Sequence, residues 1–122
     1  MTIVSANPET LDGFEAYLRR AGFSTNGTRS VDAAPEVTPA ACSAIIVFPD
    51  DFSEDAVLGA LDVLRERRPS TLPVLVTREP KRFERVAWPA RGPVPVVVPK
   101  PVWGWSILDA IRAHLEPEAD GG

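Results

Sequence analysis

The stretch that decides the fold is Ala44-Ile45-Ile46-Val47-Phe48, an unbroken apolar run that Pro49-Asp50-Asp51 follows at once. The run is short and rich in β-branched side chains, and a turn sequence ends it. A strand without polar alternation has both faces buried, which is typical of a central strand in a parallel sheet. We therefore predict a buried central β-strand at 44–48.

On both sides of this run the chain alternates between short apolar segments and helical patterns. Further strands are predicted at 2–6, 23–25, 72–77 and 94–98. Alternation of strands with helices specifies a parallel sheet with helices on both faces. The predicted fold is one α/β domain with a doubly wound five-stranded parallel sheet, in strand order 2-1-3-4-5.

Helix starts carry local signals. Asn7 suits an N-cap and Pro8 the first helical position, and Ser53 suits a second N-cap. Residues 30–41 contain two prolines, so we expect only a short or irregular helix there. A last helix is predicted at 103–115.

Composition narrows the class of protein. The chain has 122 residues and a net charge of −4, which fits one domain at 1–116 and a polar tail or linker at 117–122. A negative charge disfavours nucleic acid and anionic membranes as partners. One cysteine, Cys42, excludes an internal disulfide, and no apolar segment has the length of a membrane span or signal peptide. We expect a cytoplasmic protein.

From about residue 2 to residue 115 the chain resembles the receiver domains of bacterial response regulators. Val96-Val97-Val98-Pro99-Lys100-Pro101 is similar to the family's last strand and its Lys-Pro pair. Thr77 matches the family's hydroxyl position, and Ile3-Val4-Ser5-Ala6-Asn7-Pro8-Glu9 is similar to its first strand and loop. The resemblance implies a flavodoxin-like fold of receiver type and a role in two-component signal transduction.

The resemblance fails at the residues that carry the family's chemistry. Receivers transfer a phosphoryl group to an aspartate at the end of the third strand, and two acids after the first strand hold Mg²⁺. Ser5, Ala6 and Phe48 stand in the places of these three acids, and Phe48 is expected to fill the emptied acidic pocket. A degenerate phosphorylation pocket without catalytic residue, metal or cofactor is therefore predicted, made of Ser5, Ala6, Phe48, Thr77, Val97 and Lys100.

Two alternatives remain open around this pocket. Asp50 or Asp51 would act as a displaced phosphoryl acceptor if a shifted loop brought it near Lys100. The same pair is also explained as a turn, since aspartate favours turns. Alternatively, Thr77 and Lys100 would bind a small anion at the strand ends, where this class of fold binds ligands.

A basic and aromatic stretch follows the fourth strand. Trp and Arg are frequent anchors in protein interfaces, whereas a solvated basic helix with half-covered tryptophans would explain the same pattern. The predicted partner-binding surface comprises Arg78, Lys81, Arg82, Arg85, Trp88, Trp105 and Leu108. No phosphate loop or nucleophile elbow occurs. We expect no enzyme but a phosphorylation-independent pseudo-receiver that binds another protein of a bacterial signalling pathway.

Overall fold

The computed structural model describes residues 1–39, 42–68, 70–84, 95–99 and 109. Five strands form one sheet, and every neighbouring pair in it is parallel. The strands are β1 (Thr2–Val4), β2 (Asn26–Thr28), β3 (Ala44–Val47), β4 (Leu72–Thr77) and β5 (Val96–Pro99). Their order is β2-β1-β3-β4-β5, which confirms the predicted doubly wound sheet.

Helices connect the strands. They are α1 (Pro8–Arg20), α2 (Ala34–Val37), α3 (Glu54–Arg67) and α4 (Pro80–Glu84), with 3-10 turns at Val31–Ala33 and Pro49–Asp51. The short α2 with its 3-10 turn is the irregular helix expected at 30–41. Of the last helix predicted at 103–115, only Asp109 lies among the described residues, and it is helical. Within the described ranges, no helix has the length and apolar character that a membrane span requires.

Both predicted N-caps form. The Asn7 side chain accepts hydrogen bonds from the backbone N–H groups of Glu9, at 2.9 Å, and Thr10, at 3.4 Å. The Ser53 hydroxyl accepts one from Ala56 N at 3.2 Å. These bonds satisfy N–H groups that a helix start leaves without an intrahelical partner, and they explain why α1 and α3 begin where they do.

The second strand lies later in the chain than the predicted 23–25. Gly22 adopts φ +95° after α1, and the N–H of Phe23 donates back to Leu18 O at 2.9 Å. This hydrogen bond closes the C-terminal end of α1, and it uses Phe23, which the sequence pattern assigned to the strand. Pairing with β1 begins only at Asn26, whose N–H donates to Met1 O at 2.9 Å.

The core has one layer on each face of the sheet. Side chains alternate along β3, so Ile46 and Phe48 pack on the α1 side, while Ile45 and Val47 pack on the side of α2 and α3. Phe83 of α4 belongs to the second layer. All four residues of β3 are buried, as the apolar run predicted.

A proline lies inside the buried strand β4 without costing a hydrogen bond of the ladder. Leu72 N donates to Ser43 O at 3.0 Å, so the backbone groups of Leu72 face β3. Successive residues of a strand direct these groups to opposite sides, and the nitrogen of Pro73 therefore faces β5. Pairing with β5 begins one residue later, at Val74 opposite Val96, so Pro73 takes a position that needs no donor.

Candidate functional site

The candidate site lies at the carboxyl ends of β1, β3 and β4. These ends are adjacent because the strands are parallel and pair in register, with Val4 opposite Val47 and Val47 opposite Leu75. The N–H of Phe48 donates to Val4 O at 3.0 Å and extends the β1–β3 ladder to the edge of the site. Ser5 and Thr77, both fully buried, therefore flank the segment that follows β3.

That segment is the 3-10 turn Pro49–Asp51, in which Asp51 N donates to Phe48 O at 3.2 Å. A 3-10 helix has about three residues per turn, so consecutive side chains point about 120° apart. Asp50 and Asp51 consequently leave the turn in different directions. Asp50 is directed towards β4 and Asp51 towards β1, as their hydrogen bonds show.

The Asp51 carboxylate bonds the loop after β1. Its Oδ2 accepts a hydrogen bond from the Ser5 hydroxyl at 2.9 Å and another from the N–H of Ala6 at 3.1 Å. Arg29, after β2, donates from Nε to Ala6 O at 3.3 Å. A carboxylate from the turn after β3 thus binds the loop after β1, where the family resemblance places two metal-binding acids, and its described partners there are protein donors.

The Asp50 carboxylate bonds the end of β4. Oδ1 accepts a hydrogen bond from the Thr77 hydroxyl at 2.6 Å, and Oδ2 accepts one from the N–H of Arg78 at 2.9 Å. The Arg78 guanidinium lies farther off, with Nε 3.8 Å from Oδ2. Asp50 as a residue is exposed on the turn, but its side chain points inward and is only 16% exposed.

Together these contacts connect four loops in the order of the strands. Arg29 reaches the β1 loop, Asp51 joins that loop to the turn after β3, and Asp50 joins the turn to the β4 end. We call Asp50 and Asp51 the aspartate pair. The aspartate pair follows the central strand β3, and its two members bond the strands on either side of it, β1 through Asp51 and β4 through Asp50. The pair therefore links the carboxyl ends of three adjacent strands.

Phe48 is placed differently from the expectation that it fills the emptied acidic pocket. Its side chain is 3% exposed and belongs to the core on the α1 side. Its ring centroid lies 5.3 Å from that of Phe14, with the planes tilted by 50°. The described polar contacts at the strand ends are made by the aspartate pair instead.

Other predicted site residues are only partly described. Val97 is partly buried and packs against the core on the α2–α3 side. Lys100 lies outside the described residues, as do four members of the predicted partner surface: Arg85, Trp88, Trp105 and Leu108. In the part of the chain that the structure describes, no cluster of three or more His, Cys, Asp or Glu side chains could hold a metal ion.

The described part of the partner surface surrounds the start of α4. Arg82 donates from Nε to Glu54 Oε1 at 2.7 Å and from Nη1 to Glu79 Oε2 at 3.2 Å. The hydrogen bond that Arg82 donates to Glu54 is the main cause that raises the pKa of Arg82 above its ordinary value, followed by the negative charge of Glu54. Arg82 thus ties the start of α3 to the start of α4, whereas Arg78 is 77% exposed and Lys81 is also exposed.

An open cleft of about 340 Å³ lies where Asp50 meets this surface. Its lining combines apolar and charged side chains: Pro49, Asp50, Phe52, Arg78, Glu79 and Arg82. The cleft gives solvent access to the region of the Asp50 hydrogen bonds. Glu54 and Glu79 were not singled out from the sequence. Glu54 meets Arg82 only through the tertiary fold, whereas Glu79 is three residues from Arg82 and was within reach of a local pairing rule.

Among solved structures, the chain is similar to one described as a response regulator receiver protein from Dyadobacter fermentans DSM 18053. The two share 15% sequence identity over 93% of this chain and 94% of that chain, with a TM-score of 0.64. At this identity the likeness establishes the receiver-type fold and nothing further. No protein-family model matches the chain, and no curated protein matches it.

Proposed function

We propose that this chain is a receiver-like module of bacterial signal transduction that binds another protein in the cytoplasm and works without phosphorylation. One observation carries the proposal. Both carboxylates at the strand ends already accept hydrogen bonds from the protein itself: Asp51 from Ser5 and Ala6, and Asp50 from Thr77 and Arg78.

Phosphoryl transfer to a carboxylate needs a metal to neutralise the charge of the transferring group. Mg²⁺ is bound through carboxylates and water, with octahedral geometry. The loop after β1 offers a serine hydroxyl and an alanine, and the Ser5 hydroxyl donates its proton to Asp51. This chemistry disfavours a metal at the β1 end, and without one neither aspartate is activated as an acceptor.

The partner surface that we propose begins at the loop after β4. Arg78 and Lys81 are exposed there, and the sequence continues with Arg85 and Trp88. Exposed cations at a rim steer association with an acidic partner and add selectivity. The chain then acts by presenting this surface and catalyses no reaction.

Beryllofluoride with Mg²⁺ provides the test, since it mimics an aspartyl phosphate and requires both an acceptor and a metal. We expect the amide signals of Ser5, Thr77 and Arg78 to stay in place on its addition. We also expect no gain of one phosphoryl group by intact mass after incubation with acetyl phosphate. A Mg²⁺-dependent gain in mass would contradict the proposal.

A second candidate is a phosphotransfer receiver that uses Asp50. The observation that favours it is the 2.6 Å contact between Asp50 Oδ1 and the Thr77 hydroxyl, because a receiver's hydroxyl lies beside its phosphoryl group. Labelling that is lost in Asp50→Asn and kept in Asp51→Asn would establish this candidate. Asp51→Asn is the matched control, since it changes the neighbouring carboxylate by the same atoms.

A further inference from the structure

We infer that the carboxyl end of β4 is an oxyanion-binding site that the protein occupies with its own Asp50 carboxylate. The inference rests on the proposed function and adds its regulation: the internal carboxylate takes the position of a regulatory phosphate. It follows from the donors that converge on Asp50, which come from β4 and the loop after it.

The described donors reach both oxygens of the carboxylate. The Thr77 hydroxyl and the Arg78 N–H bind one carboxylate oxygen each, and the Arg78 guanidinium stands 3.8 Å from the second oxygen. The Glu79 N–H donates to Thr77 Oγ1 at 3.0 Å. The Glu79 N–H can only donate to the hydroxyl oxygen, so the single hydroxyl proton is available for the bond to Asp50 Oδ1.

A second set of contacts reaches the same loop without Asp50. Arg82 joins Glu54 of α3 to Glu79 beside α4, and removal of the Asp50 carboxylate takes away neither contact. The cleft of about 340 Å³ alongside gives a solvent ion access to the same position. An oxyanion such as inorganic phosphate offers the acceptors that these donors require.

In the wild-type protein the internal carboxylate excludes such an ion. A group attached to the same chain competes at a high effective concentration, which dilute solution anions do not reach. Thr77 and the loop after β4 are thereby held in one arrangement at all times. The partner surface that begins at Arg78 is then formed constitutively.

The experiment removes the carboxylate and supplies the anion. In Asp50→Ala, we expect the amide signals of Thr77, Arg78 and Glu79 to move from their wild-type positions and to return towards them, saturably, as inorganic phosphate is added. The wild-type protein should show no such response. Asp51→Ala is the matched control: its changes should centre on Ser5 and Ala6, and phosphate should leave its Thr77 signal in place.

Three results would overturn the inference: wild-type signals for Thr77 and Arg78 in Asp50→Ala, displaced signals that phosphate does not restore, or an equal phosphate response in all three proteins. If Asp50→Ala does not fold, Asp50→Asn replaces it. The amide has one oxygen for two donors, so a displaced Thr77 or Arg78 signal supports the inference and an unchanged spectrum contradicts it. Mg²⁺-dependent labelling of the wild type would instead contradict the proposed function alone.

Discussion

Phe14 of α1 and Phe48 at the end of β3 pack ring against ring inside the core, with centroids 5.3 Å apart. Phe48 stands where the family resemblance places the phosphoryl acceptor, yet its side chain is 3% exposed and belongs to the α1-side core. The position has therefore become part of the packing of the fold. Its backbone N–H donates to Val4 O at 3.0 Å and continues the β1–β3 ladder up to the candidate site.

An acid at this position should destabilise the fold. Phe48→Asp removes a large buried ring and places a carboxylate among apolar side chains, so we expect a loss of about 4 kcal/mol or more in the free energy of unfolding. Phe48→Leu should lose about 1–2 kcal/mol. Urea denaturation at neutral pH measures both, and a Phe48→Asp protein as stable as Phe48→Leu would refute this placement.

The Thr77 hydroxyl is the next element to test. Thr77→Val keeps the shape of the side chain but leaves Asp50 Oδ1 and the Glu79 N–H without this partner. We expect a loss of about 1–3 kcal/mol, in the lower part of that range if water reaches the carboxylate. Thr77→Ser keeps the hydroxyl and should lose about 1 kcal/mol or less through its missing methyl group. Equal denaturation midpoints for the two variants would show that the hydroxyl bonds contribute nothing.

The central strand and the two N-caps were predictable because their signals are local, and the strand order followed from the doubly wound fold class. The apolar run at 44–48 can be buried only in the middle of a sheet, and the sequences at Asn7-Pro8 and Ser53 fit helix starts directly. The position of β2 was predicted wrongly because Phe23 completes a helix end. The strand itself, Asn26–Thr28, is an edge strand without an apolar pattern.

The aspartate pair marks the limit of prediction at the site. The sequence places Asp50 and Asp51 after β3, but two interpretations remained open for them, a turn and a displaced acceptor, and the turn type decides where each side chain goes. Once Pro49–Asp51 forms a 3-10 turn, the side chains diverge towards Ser5 and Thr77. Pro49 is compatible with several turn types, so no local signal specified this one.

Arg82 offers a test of the link between α3 and α4. Arg82→Gln should lower the melting temperature, and the difference from wild type should shrink between 0.1 M and 1 M NaCl, as the screening length falls from about 10 Å to about 3 Å. The raised pKa of Arg82 keeps its charge through neutral and mildly alkaline pH, and its contribution is lost only as pH rises above the ordinary arginine range. The drop in melting temperature of Arg82→Gln should therefore depend on salt concentration and stay the same through neutral and mildly alkaline pH, where Arg82 keeps its charge.

Arg67→Gln is the matched control for Arg82. Arg67 is equally exposed, at 51% against 50%, and pairs with the single carboxylate of Glu36 at 3.2 Å. We expect a smaller drop in melting temperature for Arg67→Gln, because Arg82 bonds two carboxylates from two segments. If both variants melt together at low salt, Arg82 does not couple α3 to α4.

Gly27 on β2 permits the close approach of α1 to the sheet. A methyl group at this position would overlap the Glu15 carboxylate and come within 2.9 Å of Leu11 Cδ1. Leu11 lies in the core, and Glu15 is bonded to Arg19 at 2.8 Å, so neither moves without losing a contact. We expect Gly27→Ala to lower the free energy of unfolding by about 1–3 kcal/mol.

Gly13 supplies the opposite expectation within α1. A methyl group there meets no atom within 4 Å, and alanine is favoured over glycine inside a helix by about 0.5–1 kcal/mol. Gly13→Ala should therefore stabilise the protein while Gly27→Ala destabilises it. Adding Glu15→Ala to Gly27→Ala should recover part of the loss, because the overlapping carboxylate is then gone. A Gly27→Ala protein that is as stable as the wild type would refute the close packing of α1 on β2.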